Sequence, residues 1–364
     1  MRLTKWAAVG PTLALVLAAC TSSATPVPTT APTGAPSKAP TAAPATTAPT
    51  AAPTAAPVKI RFRFDWIETP GDTAMRIALN QGFFRDAGLD VTTTVGTGST
   101  DSVTLTGAGQ FDIAQASSLA VVVGVGAGVP IKSVGVLYQG DPNGMISRPD
   151  NPIRVPTDLY GKRYGIQQGS SLLYYQAVVA VNNLDRAQIT EVPTGFDIAP
   201  LAAKQIDGLI DFADGEVILV RQAIKAEPVF VPIKDWGVVT YGTTLIVNNY
   251  FADQKPEVVR AFVLAFAKGL KFAVENPDQT VSIMQQVYSS VDRATLGDRV
   301  RAALKYFTSA DTTKSGVLFQ NTGTWQAELD LALKLKMIKS ALTFRDVMNN
   351  GFLPNPPLIA TVPK

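Results

Sequence analysis

Val58-Lys59-Ile60-Arg61-Phe62-Arg63-Phe64-Asp65-Trp66, then residues 73–81, then Gly88-Leu89-Asp90-Val91-Thr92-Thr93-Thr94-Val95, set the reading of this chain. The first run alternates apolar with polar residues, the period of a strand with one covered face. Residues 73–81 read as a short helix closed by Gly82-Phe83-Phe84, and the third run reads as a second strand. Strand, helix and strand in so short a stretch form the unit of a mostly parallel sheet with helices on both faces.

The alternation continues outward from there. The loop Gly96-Thr97-Gly98-Ser99-Thr100 leads into a helix over 101–108, and 110–114 reads as a third strand. Ser117 and Ser118 precede an apolar helix over 119–127, and 131–138 is another strand. A second set opens at Leu159-Tyr160-Gly161-Lys162-Arg163-Tyr164-Gly165-Ile166. It continues through a loop over 168–171, a helix over 172–182, and short strands at 189–192, 209–212 and 229–232. The chain then turns helical. Pro256 starts a helix over 257–275 with Val258, Val259, Phe262, Phe266 and Leu270 on one face. Asn276-Pro277-Asp278-Gln279 has the form of a capping box for the next helix. In a last helix over 325–339, Leu329, Ala332, Leu333 and Lys336 recur at helical spacing and read as core.

The first twenty residues are a different kind of segment. Arg2 and Lys5 precede an apolar stretch over 6–19, interrupted by Gly10, Pro11 and Thr12 and too short to span a bilayer comfortably. It ends in Leu17-Ala18-Ala19-Cys20, which resembles a bacterial lipoprotein box, and Cys20 is the only cysteine. The expectation is a signal peptide over 1–19 and lipid on the Cys20 sulfur, with more than one acyl chain for stable anchoring at the extracytoplasmic face of the cell membrane. Residues 21–57 are almost entirely Ala, Pro, Thr and Ser and hold nine of the 26 prolines. Such a composition cannot offset its ordering entropy. As an extended tether from residue 20 to 57 it reaches on the order of 100 Å.

The remaining body, of roughly 300 residues, is long enough for two domains. Loss of Arg2 and Lys5 takes the formal charge from +3 to +1, with no run of like charge, so nothing points to nucleic acid. The chain has no histidine, and its one cysteine is the expected lipid site. Ser-His-Asp and Cys-His nucleophile systems and His/Cys zinc sites are therefore excluded, and no motif asks for a cofactor.

A series of motifs carries a family resemblance. Ala78-Leu79-Asn80-Gln81-Gly82-Phe83-Phe84, then Gly88-Leu89-Asp90-Val91, is similar to the opening of ABC-importer solute-binding proteins of the thiamine-pyrimidine, sulfonate and nitrate group. Gly107-Ala108-Gly109-Gln110-Phe111-Asp112-Ile113-Ala114, Asp158-Leu159-Tyr160-Gly161-Lys162 and, less closely, Lys204-Gln205-Ile206-Asp207-Gly208 fit its next elements. Pro256-Glu257-Val258-Val259-Arg260-Ala261-Phe262, with Gly269 and Asn276-Pro277, fits its C-terminal helices, so the resemblance spans about residues 58–290. Asp65-Trp66 and Trp236-Gly237-Val238-Val239-Thr240-Tyr241-Gly242 lean toward the vitamin branch, which includes riboflavin binders. The loop Ile67-Glu68-Thr69-Pro70-Gly71-Asp72 departs from the pyrimidine binders, which carry Asn and His there.

The resemblance implies a periplasmic-binding-protein-like α/β fold of type II, with two lobes, a ligand cleft and two crossover strands. Lobe 1 would take 58–145 and 243–364, and lobe 2 would take 146–242. In open α/β sheets ligands sit beyond the carboxyl ends of strands. The expected contacts are Asp65, Trp66, Ser99, Thr100, Ser117 and Ser118 from the first lobe, and Gln168, Ser170, Tyr174, Asp211, Glu216 and Tyr241 from the second lobe and the return. Helix-terminal serines offer N–H groups to ligand oxygens. Trp66, Tyr174 and Tyr241 can stack on a ring, and Asp211 or Glu216 can accept from a ring N–H.

The strand-end loops hold almost no cation, whereas small anions need clustered ones. A flat polar-edged heterocycle is therefore expected, riboflavin first and a hydroxymethyl- or formylaminopyrimidine precursor of thiamine second, with sulfonate or nitrate as the other family ligands. The resemblance implies a monomer that hands ligand to an ABC-type permease. A ligand-sensing input protein is the alternative. Synthesis of the pyrimidine, as in a fungal relative, depends on a histidine and a cysteine-rich motif that this body lacks.

Overall fold

Ten strands fall into two mixed five-stranded sheets in the computed structural model, which describes residues 56–363 except Glu68 and Gln168. The expected leader, Cys20 and the tether through residue 55 lie outside the described residues, as does Gln168. Among the described residues no helix is long and apolar enough to cross a membrane.

The first sheet holds β1 (Val58–Arg63), β2 (Leu89–Thr94), β3 (Ile113–Ser117), β4 (Ile131–Val136) and β10 (Thr243–Asn248), in the order β2-β1-β3-β10-β4. β1 runs parallel to β2 and β3, while β10 lies antiparallel between β3 and β4. The second sheet holds β5 (Asn143–Ser147), β6 (Arg163–Ile166), β7 (Thr190–Pro193), β8 (Gly208–Phe212) and β9 (Val229–Pro232), in the order β7-β6-β8-β5-β9. There β5 is the antiparallel strand. Each sheet is thus mostly parallel, as the alternation predicts, with one reversed strand at the crossover between lobes.

Both reversed strands escape a reading by pattern. β5 is Asn143-Gly144-Met145-Ile146-Ser147, which begins with a turn dipeptide. It already belongs to the second sheet, so the chain crosses over 139–142 and the expected border between 145 and 146 falls inside β5. β10 is buried on every residue and shows no alternation.

Among the described residues, nine helices of eight or more residues surround the sheets: α1 (Thr73–Asn80), α2 (Ser99–Gly107), α3 (Ser118–Gly126), α4 (Ser170–Val181), α5 (Glu216–Ile224), α6 (Pro256–Glu275), α7 (Pro277–Val287), α8 (Arg293–Leu304) and α9 (Thr322–Lys334). On one face of the first sheet, Phe62 stacks on Phe262 of α6 with centroids 5.7 Å apart. α6 lies against α1 at Gly269, where an added Cβ would come 2.3 Å from the Ala74 carbonyl oxygen. On the other face Val103, Val121 and Val122 pack with Trp325 and Leu329 of α9. In the second lobe, Tyr164 stacks on Tyr175 of α4 at 4.2 Å. The capping box expected at Asn276 does not form. Its amide donates to the Phe272 carbonyl instead, and Pro277 starts α7.

One device recurs in both lobes. Arg61 holds Asp112 through its backbone N–H and its guanidinium, which also donates to the Gly109 carbonyl. Arg163 does the same with Asp207 and the Lys204 carbonyl. Gly109 and Lys204 both take positive φ, 73° and 59°. The sequence elements at 109–112 and 204–207 are therefore structurally equivalent turns that feed β3 and β8. Each aims its strand's carboxyl end at the space between the lobes.

Candidate functional site

That space is a cleft of about 880 Å³, counted with its open mouth. β1 runs out into Asp65-Trp66, β3 supplies Gln115, and the segment after β4 supplies Tyr138. From the second lobe come Gln167 after β6, Ser170 at the start of α4, Asp211 near the end of β8, Asp214 after it and Glu216 at the start of α5. Phe196 follows β7, and Arg299 reaches in from α8.

The two lobes meet around the cleft. The rings of Trp66 and Phe196 lie 3.7 Å apart between centroids, tilted by 49°. Tyr138 donates from its hydroxyl to Asp214 Oδ2 at 2.7 Å. The loops approach so closely that a Cβ on Gly98 would lie 3.8 Å from the Gly169 Cα. Both glycines take positive φ, 137° and 77°, which L side chains rarely adopt.

The electrostatics are acidic. Five carboxylates line the cleft (Asp65, Asp72, Asp211, Asp214 and Glu216), with Arg299 the one cation among the described lining residues. Burial pushes Asp65 above the usual carboxylate range, and a bond from Ser99 Oγ at 3.1 Å pulls it partly back. Burial also raises Asp211, against the pull of Gln167, whose Nε2 donates to Asp211 Oδ2 at 3.0 Å. Glu216 is pushed well up by burial and by the nearby Asp211 charge. Asp214 is raised by burial and partly lowered by the Tyr138 bond. Burial thus makes these carboxyl groups weaker acids than free ones, and their oxygens offer lone pairs to a ligand's donors.

The sequence-expected residues divide by position. Asp65, Trp66, Ser99, Ser170, Asp211 and Glu216 line the cleft. Ser117 lies behind Ser99: its N–H donates to Ser99 Oγ at 3.0 Å and its hydroxyl accepts from Ala120 N–H to cap α3. Thr100 is exposed on α2, away from the lining.

Ser118, Tyr174 and Tyr241 do not line the cleft. They are buried around the crossovers. Ser118 Oγ is 2.7 Å from Glu328 Oε1 and 2.8 Å from the Tyr241 carbonyl oxygen. One hydroxyl proton can serve only one of these acceptors, so the second bond needs a proton on Glu328. Burial agrees, pushing Glu328 up to about 8. Nearby, Asp141 of the first crossover accepts from Thr240 Oγ1 of the return at 2.5 Å. Tyr174 lies beside this pair, its hydroxyl pushed up by burial and by the Asp141 charge. The Tyr241 hydroxyl accepts from Asn321 N–H at 2.9 Å, which ties it to the C-terminal segment. Ser118 follows β3, Tyr241 precedes β10 and Tyr174 lies on α4, so the three meet beside the segments that join the lobes rather than in the cleft.

The pattern reading misses Gln115, Tyr138, Gln167, Phe196 and Arg299. A third strand set at 110–114 ends three residues short of the observed one, which hides Gln115. Tyr138 closes a strand that was read and is recoverable by the strand-end rule. Arg299 lies on a helix far along the chain and carries no local signal.

The model of the NMT1/THI5-like family matches residues 69–280, more than half of the chain. The chain belongs to this family. Among its relatives, the formylaminopyrimidine-binding protein of Halalkalibacterium halodurans is 24% identical over 231 residues, 62% of this chain and 69% of the relative. The riboflavin-binding protein RibY of Chloroflexus aurantiacus is also 24% identical, over 66% of this chain and 70% of its own. Among solved structures, the alkanesulfonate-binding protein SsuA from Xanthomonas axonopodis pv. citri, bound to MOPS, aligns with a TM-score of 0.62. It is 16% identical and covers 81% of this chain and 99% of its own. That likeness carries the fold: the two-lobed α/β architecture of periplasmic binding proteins.

Proposed function

We propose that this family member is an extracytoplasmic solute-binding lipoprotein that delivers a flat, donor-rich N-heterocycle to an ABC-type import permease. The observation that carries this reading is the acid-rich lining: five carboxyl groups against one arginine among the described lining residues, beneath the Trp66–Phe196 ring pair. Such a lining repels a sulfonate or nitrate, which needs clustered cations. It accepts hydrogen bonds from exocyclic amines and ring N–H groups. Its buried carboxyls, which hold protons more tightly than free ones, also donate to basic ring nitrogens.

An aminopyrimidine of the thiamine-precursor kind meets both demands and takes first place. Riboflavin, whose ring system offers one N–H donor and no comparably basic nitrogen, takes second. This reverses the order reached from the sequence. Binding fits the residues better than synthesis of the pyrimidine, since the chain holds no histidine and a single cysteine at residue 20. Closure of the lobes around ligand would present the surface that the permease reads. Lipid on Cys20 would keep the protein at the membrane as a monomer, and the same cleft would serve equally in a ligand-sensing input protein.

Calorimetric titration with hydroxymethylpyrimidine, formylaminopyrimidine, riboflavin and an alkanesulfonate tests the reading. Heat from at least one of the heterocycles and none from the sulfonate is the expected result.

A further inference from the structure

Gln115 is only 1% exposed, and neither end of its carboxamide has a hydrogen-bond partner among the described residues, yet it lines the cleft. Its neighbour on the same strand face, Ile113, and its cross-strand partner, Leu245, are buried apolar residues, so an apolar side chain would be at home at this position. A buried carboxamide with both ends open is kept at a cost to folding, because buried polar groups are normally paired. Across the cleft Gln167 is 2% exposed and gives its Nε2 to Asp211 at 3.0 Å. That bond fixes the orientation of Gln167 and leaves its Oε1 as an unpartnered acceptor.

We infer that Gln115 is a specificity-determining residue that reads an adjacent donor–acceptor pair on the edge of a heterocycle. A carboxamide pairs in two places with an amidine or amide edge, as glutamine does with the adenine edge. Gln167 Oε1, facing from the other lobe, takes a further donor, so the ligand is held between a two-point contact on one lobe and a single acceptor on the other. The inference rests on the heterocycle reading proposed above and adds which edge chemistry is selected. An analogue without the edge leaves one end of Gln115 unpaired, which a site built around buried polar groups penalises by about tenfold to hundredfold.

The test uses two matched probe pairs and the purified protein. One pair is 4-amino-5-hydroxymethyl-2-methylpyrimidine and the same compound with hydrogen in place of the amino group. The other is riboflavin and N3-methylriboflavin, whose imide donor is blocked. Dissociation constants are measured for wild type and for Gln115→Met, with Gln115→Leu as the second variant if the first does not fold.

Wild type is expected to prefer the parent compound of at least one pair by about tenfold to hundredfold. Gln115→Met is expected to bring that pair to within about threefold while it still binds the edge-lacking analogue as well as wild type does. If wild type binds a parent compound and the variant keeps the full preference, Gln115 does not read the edge and this inference falls alone. If wild type binds neither parent compound, the heterocycle reading falls and takes this inference with it.

Discussion

Replacing Glu328 with glutamine isolates the proton that the buried cluster at the crossovers holds. The side chain sits on α9, fully buried, against Ser118 and the Tyr241 backbone N–H. In the folded protein its carboxyl is pushed up to about 8 from an ordinary 4.5 by burial. Below 4.5 both folded and unfolded chains hold the proton, and the group is neutral to stability. Between 4.5 and 8 only the unfolded chain releases it, so its contribution to stability falls as pH rises, and above 8 the loss is complete. At about 1.4 kcal/mol per pH unit, the fall between pH 5 and pH 7 is on the order of 2–3 kcal/mol. Glutamine keeps the shape and one donor but cannot ionise. Glu328→Gln should therefore gain stability relative to wild type by about that amount on going from pH 5 to pH 7. Asp141 and the other buried acids titrate in both proteins and cancel in the comparison. Urea unfolding of both proteins at the two pH values measures it. A stability difference that stays constant with pH would show that Glu328 is charged in the folded protein, and the proton assignment at Ser118 would be wrong.

Other perturbations test other parts. Trp66→Ala or Phe196→Ala should weaken heterocycle binding by roughly tenfold, the worth of one lost ring contact, in a fluorescence or calorimetric titration. Tyr138→Phe removes the bond to buried Asp214 across the lobes and should weaken ligand binding by about tenfold and cost about 1–3 kcal/mol in urea unfolding. Gly269→Ala forces a Cβ into the Ala74 carbonyl and should cost about 1–3 kcal/mol in urea unfolding. Cys20→Ser should move the protein from the membrane fraction to the soluble fraction and abolish labelling with palmitate.

The fold was legible where burial is one-sided. β1, with alternating Ile60, Phe62 and Phe64 in the core, and α6, with Val259, Phe262, Phe266 and Leu270 buried, show their periods openly. The reversed strands were not legible, because β5 opens with Asn143-Gly144 and β10 is buried throughout. Even β1 misleads in part: Arg63 falls on a polar beat but is buried, its guanidinium bonded to Ser102 and Thr97.

In the site, residues at or just beyond the carboxyl end of a strand were readable, such as Asp65-Trp66 and Asp211. Ser118, Tyr174 and Tyr241 have the residue types of a ligand site, but the topology buries them around the crossovers, where Ser118 bonds to Glu328 and to the Tyr241 carbonyl. Gln115 and Arg299 became visible only in three dimensions. One depends on where a strand ends, and the other on a helix that returns to the cleft from far along the chain.

The central claim is that this acidic cleft takes a donor-rich heterocycle and refuses small anions. Mass spectrometry of the small molecules that copurify with the protein tests it most directly. An aminopyrimidine or a flavin released on denaturation, at close to one per chain, is the predicted result. An alkanesulfonate or another small anion released in that proportion would contradict the account.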